Sequence, residues 1–317
     1  MITEPLIFIG TGSFGLLSLG ELSKSADIRL VVCQPPKISA ESSSPIYNRA
    51  KELGLRILTP NQIFEASEIF NKISPATIIV ADYGQIIPES ILKIPKRGCL
   101  NIHPSLLPKH RGPTPIVSAI LNGDSETGVT IIKMDSKMDH GPIVAQKSYR
   151  LQGTEMASEL NKILGGLAAD LLMNVLPQYL NGDISLREQD HNTATYHHLL
   201  KRSDGLIEDK EFADAILRKH RAYFPWPGIW FKKKNGKKEI IIKLIDIESA
   251  TKPSSVPSGS FFLSEGCLYL AAAAGSIKIN KLQVEGKSIL GSTQFINGYS
   301  NLIYRSYVAK SRPDNLK

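Results

Sequence analysis

The chain has 317 residues, which is long for a single domain of roughly 100 to 200 residues and favours two domains. Apolar residues make up 42% of it, no apolar run approaches the roughly 20 residues that a membrane span needs, and the three cysteines are scattered. These features argue against a membrane protein, a disulfide-rich secreted protein and a zinc site. The N-terminal residues carry neither the basic nor the long apolar segment of a signal peptide, so we expect a protein of the cytoplasm.

Six short β-rich runs alternate with helical stretches over the first 190 residues. Apolar strands separated by helices are typical of a doubly wound α/β domain, whose mostly parallel sheet is buried on both faces. Ligands of such sheets bind beyond the carboxyl ends of the strands. The predicted strands are 6–10, 28–34, 77–81, 99–102, 128–134 and 143–149.

The turn after the first predicted strand reads Gly-Thr-Gly-Ser-Phe-Gly, from Gly10 to Gly15, and satisfies the dinucleotide-binding fingerprint. A dinucleotide site also needs an acidic residue about 20 positions further on, at the end of the second strand, to bind the ribose hydroxyl. That strand ends in Cys33-Gln34-Pro35-Pro36, without an acid. We therefore interpret the glycines as a tight turn that could hold an anion at a helix N-terminus, and a hydride-transfer enzyme remains an alternative.

The most informative polar residues follow the fourth predicted strand. If residues 99–102 end a buried strand, alternation places Asn101 and His103 on one face, near the sheet edge where ligands bind. Asn101 is a neutral hydrogen-bond donor, His103 titrates near physiological pH, and Asp139 could fix the tautomer of its imidazole. Proton movement during attack on a carbonyl requires these groups, so we predict an acyl-transfer site. An isolated Asn-x-His is more often a surface or capping feature, which is the alternative interpretation.

The second half of the chain begins after a predicted core helix over 156–180 and a polar connector. A helix at 211–223 then precedes five short strands separated by Gly, Pro and Ser turns, which predicts a small β-barrel of the oligonucleotide-binding type. We divide the chain into a catalytic domain 1–188, a linker 189–204 and a C-terminal domain 205–317. The five predicted strands are 229–232, 239–247, 259–263, 268–272 and 276–284.

The net charge of +8 lies mostly in the C-terminal part, where residues 204–317 carry 18 Lys and Arg against 11 Asp and Glu. Five lysines surround Asn235-Gly236, a pair typical of a hairpin turn. A lysine-rich hairpin is often only a solvated surface; the functional interpretation is an electrostatic contact with a polyanion such as RNA. The lysines are Lys232, Lys233, Lys234, Lys237 and Lys238.

The run Asn-Ile-His-Pro-Ser-Leu-Leu-Pro from Asn101 to Pro108, with Gly112 and Asp139, resembles the signature of the folate-dependent formyltransferases. Members of this family that formylate glycinamide ribonucleotide resemble only the first domain, so the second domain is the discriminating feature. It is similar to the members that act on methionyl-tRNA. The segments that carry this likeness are 194–196, 203–207, 221–222, 225–228, 282–283, 286–287 and 295–298.

The resemblance implies a Rossmann-like formyltransferase domain that transfers a formyl group from 10-formyltetrahydrofolate, without a metal, to the α-amine of methionine on initiator methionyl-tRNA. It implies that Asn101, His103 and Asp139 are catalytic. We take a monomer as the default, and no membrane partner is expected. Residues expected near the folate are Tyr83, Gly84, Ile86, Ser105, Leu106, Leu107, Pro108, Asp135 and His140. Residues expected near the tRNA are Lys109, His110 and Arg111 together with the five hairpin lysines.

Two segments depart from the family pattern. Between Gln34 and Pro45 the chain has a short loop with Lys37 as its only basic residue, where the methionyl-tRNA enzymes typically carry a longer basic insertion. Residues 113–118 replace a stretch that commonly contains a Gln-Trp pair. A formyltransferase acting on a nucleotide-linked amino sugar, and an RNA-binding module without catalysis, are the alternatives; the intact catalytic residues oppose the second.

Overall fold

The computed structural model describes residues 1–35, 44–250 and 256–304. The chain divides into two compact units, Met1–Leu199 and Leu200–Lys317. Most of the short loop between Gln34 and Pro45, including Lys37, lies outside the described residues. The predicted boundaries of the catalytic domain, linker and C-terminal domain stay a prediction.

The first unit is built on a seven-stranded sheet. Its strands are β1 (Ile2–Gly10), β2 (Ala26–Val32), β3 (Ile57–Leu58), β4 (Thr77–Ala81), β5 (Cys99–His103), β6 (Glu126–Lys133) and β7 (Ile143–Arg150). The strand order is β3-β2-β1-β4-β5-β6-β7. The first five in this order are parallel, whereas β6 is antiparallel to both β5 and β7. The predicted mostly parallel, doubly wound sheet is confirmed, with the antiparallel β6 as a detail that strand patterning did not predict.

Among the described residues, six α-helices accompany this sheet: α1 (Leu16–Ser25), α2 (Pro45–Glu52), α3 (Ser67–Ile73), α4 (Glu89–Leu92), α5 (Pro115–Asn122) and α6 (Ala157–Asn181). Local sequence explains several of their ends. The Ser44 side chain accepts the Tyr47 N–H at 3.0 Å, and Pro45 occupies the first turn of α2. Gly123 and Gly182 end α5 and α6 in the left-handed conformation, which suits a residue without a Cβ.

Helix α6 is long and apolar enough, by length and composition, to cross a membrane. Its apolar side, however, is packed inside the unit: Leu160, Leu164, Leu172 and Leu176 are fully buried, and the helix contacts α1, α5, β6 and β7. A long apolar helix with its leucines against a sheet is the pattern of a core helix.

The carboxyl ends of β1, β4 and β5 lie at one edge of the sheet because the three strands are parallel and adjacent. At this edge, the glycine turn after β1 forms hydrogen bonds with the loop after β4. Both the Thr11 and Gly12 N–H groups donate to the Asp82 carbonyl, at 2.9 and 3.1 Å. The Asp82 carboxylate packs directly on Gly12: a Cβ there would lie 1.6 Å from one of its oxygens, so any larger residue would require the Asp82 side chain to move.

The second unit contains an antiparallel sheet of β8 (Ile229–Asn235), β9 (Lys238–Ala250), β10 (Phe261–Ser264), β11 (Cys267–Ala271), β12 (Ser276–Val284) and β13 (Ile289–Gly291). The order is β10-β11-β12-β9-β8, and β13 also pairs with β12. Helices α7 (Ala213–Tyr223) and α8 (Ser292–Gly298) accompany it. The rings of Phe231, Phe261 and Phe295 pack edge to face at 5.4 and 5.1 Å between centroids. The predicted small β-barrel is confirmed in the form of a curled, antiparallel half-barrel, with one strand, β13, that the sequence pattern did not predict.

Candidate active site

The structure brings Asn101, His103 and Asp139 together. Asn101 and His103 lie two positions apart on β5 and therefore share a face. Asn101 Nδ2 donates to Asp139 Oδ1 at 3.2 Å, and His103 Nδ1 lies 3.6 Å from the same oxygen. The loop between β6 and β7 carries Asp139 to this place in the left-handed region, with φ +50°.

The protein backbone fixes the tautomer of His103. Its Nε2 lies 2.9 Å from the His110 carbonyl, which can only accept, so Nε2 carries a proton. The neutral imidazole therefore turns its lone pair, on Nδ1, toward Asn101 and Asp139. Since His103 is only 5% exposed, this nitrogen is shielded from bulk water.

Asp139 is held by donors on both carboxylate oxygens. The Gly112 N–H donates to Oδ2 at 2.7 Å, while Asn101 occupies Oδ1. The amide nitrogen of Asn101 carries two hydrogens. One is donated to Asp139, so the other remains for a ligand oxygen. The three residues thus combine one hydrogen-bond donor, one base and one fixed negative charge.

The turn after β5 is held by hydrogen bonds from β6 and β7. The Thr130 hydroxyl donates to the Ser105 carbonyl at 2.6 Å and accepts the Leu107 N–H at 3.1 Å. Gln146 donates to the Leu107 carbonyl at 2.9 Å, and the Ser105 hydroxyl donates to the Lys109 carbonyl at 2.7 Å. Ser105 and Leu107, expected near the folate, are buried and shape this turn; Leu106 and Pro108 are partly exposed.

The three basic residues expected near the tRNA separate in the structure. Lys109 is exposed, but His110 is 4% and Arg111 only 1% exposed. Both buried side chains are occupied by protein partners. The expectation that His110 and Arg111 contact the tRNA is corrected by this burial.

Arg111 is surrounded by neutral acceptors from the connector after α6. Its Nη2 donates to Gln189 Oε1 at 2.7 Å and to His191 Nδ1 at 2.8 Å, and its Nη1 donates to the Tyr196 hydroxyl at 2.7 Å. Among the described residues, no carboxylate contacts the Arg111 guanidinium. Sequence reasoning missed Gln189 and His191 because a polar connector has no periodicity to mark a buried side chain.

A second set of contacts ties His110 to the same connector. His110 Nε2 lies 2.6 Å from Asp124 Oδ2, and its Nδ1 lies 2.9 Å from His197 Nε2. Burial, with the neighbouring His110, lowers the pKa of His197 below its ordinary value. With both imidazoles neutral, His197 can donate to His110 and His110 can donate to Asp124, which satisfies both contacts.

The other residues expected near the folate lie on the loops after β4 and after β6. On the loop after β4, Tyr83 is buried while Gly84 is exposed and Ile86 is 81% exposed. Burial raises the pKa of Tyr83 to about 12, and its hydroxyl has no protein partner among the described residues. On the loop after β6, His140 Nδ1 pairs with Asp135 Oδ2 at 2.6 Å, and its ring stacks on His191 with centroids 3.9 Å apart.

The lysine hairpin of β8 and β9 forms as expected, but its five lysines differ. Lys232 pairs with Glu239 at 2.8 Å. Lys233 turns inward, where its Nζ donates to the Gly259 carbonyl at 2.7 Å and burial lowers its pKa. Lys234, Lys237 and Lys238 are exposed, and none of the three forms an ion pair with another described residue.

Within the described ranges, no cluster of three or more His, Cys, Asp or Glu side chains is arranged to hold a metal ion.

Two protein-family models match the chain. The model described as formyl transferase matches residues 6–176, and the one described as formyl transferase, C-terminal domain, matches residues 199–300.

Curated relatives extend over nearly the whole chain. The methionyl-tRNA formyltransferase of Roseiflexus castenholzii is 35% identical over 301 residues, which cover 92% of this chain and 95% of the relative. That of Thermotoga neapolitana is 35% identical over 300 residues, with the same two coverages, 92% and 95%.

Solved structures share the fold at lower identity. HypX from Aquifex aeolicus in complex with tetrahydrofolic acid matches with a TM-score of 0.62 and 17% identity, over 94% of this chain and 48% of that chain. This chain thus spans about half the length of HypX. A sugar 3N-formyl transferase, WlaRD, matches with a TM-score of 0.64 and 20% identity, over 91% of this chain and 99% of that chain.

Proposed function

This chain belongs to the formyl transferase family, and from that premise we infer that it transfers a formyl group from 10-formyltetrahydrofolate to the α-amine of methionine on initiator tRNA. The observation that carries this conclusion is the match, over 92% of the chain and through both units, to relatives named methionyl-tRNA formyltransferase. Sugar formyltransferases share the fold only at 20% identity or less in the structures compared. The enzyme is a formyltransferase of translation initiation.

We assign the acceptor amine the role of nucleophile. A free α-amino group has a pKa of roughly 7.7 to 8.0 and the adjacent ester lowers it, so a large share is neutral at pH 7 without a strong base. The amine nitrogen bonds to the formyl carbon, and the bond from that carbon to N10 of the folate breaks. The amine loses a proton and N10 gains one.

Asn101 and His103 would serve different parts of this exchange. The second amide hydrogen of Asn101 is available to the formyl oxygen as it gains negative charge. His103 Nδ1, the nitrogen that the His110 carbonyl leaves unused, would take the proton from the amine and return it to N10. The Asp139 carboxylate, 3.6 Å from Nδ1, would stabilise the imidazolium between these steps.

The loops of the first unit fit a flat, partly apolar co-substrate. Ile86, 81% exposed, and Met138, 55% exposed, offer apolar surface on the loops after β4 and β6. We propose that the folate contacts Gly84 and Ile86 on one loop and Asp135 and His140 on the other. Tyr83 packs in the buried core beneath the first loop and supports it from there.

We propose that the exposed lysines of the β8–β9 hairpin, Lys234, Lys237 and Lys238, supply sequence-independent affinity for the tRNA backbone. Lys109 is the corresponding basic residue of the first unit. We further propose that the enzyme acts as a monomer in the cytoplasm.

The proposal is tested by incubating the purified full chain with 10-formyltetrahydrofolate and methionine-charged initiator tRNA. Formylmethionyl-tRNA and tetrahydrofolate are expected in equal amounts, because one formyl group leaves for each one accepted. Release of tetrahydrofolate without formylated tRNA would contradict the acceptor assignment, and the absence of both products would contradict formyl transfer itself.

A further inference from the structure

Gln189 uses the whole hydrogen-bonding capacity of its side chain. Its Nε2 donates to the carbonyls of Asp139 and Gly141, at 2.9 and 2.7 Å. Its Oε1 accepts from Arg111 Nε and Nη2, at 3.3 and 2.7 Å. Two amide hydrogens and two lone pairs are thus all engaged, in a side chain that is 5% exposed.

The orientation of this amide is unambiguous. The two carbonyls can only accept, so they must face the amide nitrogen, and the guanidinium can only donate, so it must face the amide oxygen. No other neutral side chain of this shape supplies two donors on one side and two lone pairs on the other. The position of Gln189 itself is set by the backbone pairing of Arg187 with Ile143, at 2.7 and 2.9 Å, where β7 begins.

Gln189 bonds two separate segments of the proposed catalytic centre, the loop of Asp139 and the segment of Arg111. Arg111 precedes Gly112, whose N–H holds Asp139 Oδ2 at 2.7 Å. The carboxylate of Asp139 is therefore tied to the 111–112 segment directly, and its backbone carbonyl is tied to that segment through Gln189. Arg111 is anchored in turn by backbone hydrogen bonds to Thr195 and His197, at 2.8 and 2.9 Å.

Asp139 needs such external restraint. Its φ of +50° lies in the left-handed region that residues with a Cβ seldom occupy; Asp tolerates this region better than most, but its backbone is held there by contacts from other segments. The neighbouring loop residue Gly141 packs so closely on β6 that a Cβ would lie 1.9 Å from the Lys133 carbonyl. The carbonyls on either side of His140 are the two that Gln189 holds.

We propose that Gln189 is a positioning residue for formyl transfer: it fixes the backbone of the Asp139 loop against buried Arg111 and thereby places the carboxylate beside His103. The inference rests on the proposed function and adds to it a residue outside the run of Asn101 to Pro108.

The test is the substitution Gln189→Glu, which keeps the shape and the acceptor for Arg111 but removes both donors to the carbonyls. We expect kcat for formyl transfer to fall by up to about 10²-fold, since displacing a catalytic group by about 1 Å has that effect. The KM values for folate and tRNA should stay within about threefold. Gln178→Glu, on the exposed side of α6, is the charge-matched control with wild-type kcat.

A double-mutant cycle separates positioning from general destabilisation. If Gln189 acts through Asp139, adding Gln189→Glu to Asp139→Asn should cost almost nothing further. Independent, additive losses would overturn the proposal. Gln189→Met, an apolar side chain of similar length, serves the same cycle if the glutamate variant does not fold.

Hydrogen exchange of the backbone amides in 134–142 gives a readout that does not depend on formyl transfer. Faster exchange in this loop is expected in Gln189→Glu, with exchange in the second unit as in the wild type. Unchanged exchange in the loop would overturn the proposal even in a protein that fails to formylate tRNA, whereas failure of the wild-type assay alone would count only against the proposed function.

Discussion

For single residues, the chemistry of the candidate site depends on which hydrogen-bonding atoms remain available to a ligand. The His110 carbonyl takes the Nε2 proton of His103, and Asp139 takes one of the two amide hydrogens of Asn101. What remains is a basic Nδ1 and one N–H, side by side on one strand. Those two groups are the ones that a developing oxyanion and a migrating proton require.

Removing either the His103 imidazole or the Asp139 carboxylate should therefore slow formyl transfer without weakening substrate binding. We expect His103→Ala and Asp139→Asn to lower single-turnover formyl transfer by about 10² to 10⁴. Equilibrium binding of tRNA should be unchanged in both. Asp170→Asn, an exposed substitution on α6, is the matched control. Wild-type rates in both variants would remove His103 and Asp139 from the mechanism.

His197 should make stability depend on pH. Its pKa is lowered in the folded protein by burial and by His110, so between that pKa and the unfolded value of about 6.5 the unfolded chain binds a proton that the folded chain does not. The free energy of unfolding should consequently fall as pH drops through about 6.5, and level off below the folded pKa.

Urea denaturation of the wild type and of His197→Gln at several pH values measures this effect. The glutamine keeps a donor for His110 but does not titrate, so the pH dependence should be shallower. Some dependence should persist because burial also lowers the pKa of His220. Identical pH profiles in the two proteins would exclude His197 as a source.

At the scale of elements, the loop after β5 and the connector after α6 form one packed assembly. Gly112 lies where the two meet, at φ +107°, and an added Cβ would be 2.3 Å from the His197 carbonyl. Its N–H also holds Asp139. Backbone proximity at one residue thus links the connector to the carboxylate.

Gly112→Ala should destabilise the protein and reduce formyl transfer together. Strain at positive φ alone costs about 1 to 2 kcal/mol, and the clash with the connector backbone should add to it. Gly153→Ala is the control, because Gly153 has φ +80° but no heavy atom within 4 Å of its added Cβ. Thermal unfolding of both variants checks the difference; an equal loss of stability in the two would show that the approach to His197 has no influence.

We expect the exposed lysines of the β8–β9 hairpin to contribute to tRNA binding. Reversing charge at Lys234, Lys237 and Lys238 should weaken tRNA binding and reduce the slope of log affinity against log salt by about one for each phosphate that is no longer neutralised. Reversal at Lys24, Lys72 and Lys93, exposed lysines of the first unit, gives the same net charge and is the control. An equal effect of both triple variants would indicate net charge rather than the hairpin.

At the scale of the whole molecule, sequence patterning predicted the elements that are long and buried. The predicted strands 77–81 and 99–102 form as Thr77–Ala81 and Cys99–His103, in which almost every residue is buried. β3 and β13, of two and three residues, are too short to show alternation, and no period reveals that β6 runs antiparallel. Periodicity reports burial, not direction.

From the strand pattern alone, the candidate site was predictable only where it is local; Asp139, 38 residues beyond Asn101, was expected from the family resemblance. Asn101 and His103 share a face because they are two residues apart on a strand, which alternation reveals. Arg111 follows Lys109 and His110 and was expected on the surface, but it is buried by acceptors from Gln189 and Tyr196, 78 and 85 residues further along the chain. Contacts over that separation depend on tertiary packing, which a local pattern does not contain.

We propose that the acceptor is a charged tRNA, a claim that selectivity among acceptors puts to the test. We would measure kcat/KM for formyl transfer from 10-formyltetrahydrofolate to methionyl initiator tRNA, to glycinamide ribonucleotide and to a nucleotide-linked amino sugar under identical conditions. We expect efficient transfer to the charged tRNA and none above background to the two small acceptors. Transfer to the amino sugar, with the charged tRNA left unformylated, would contradict the claim.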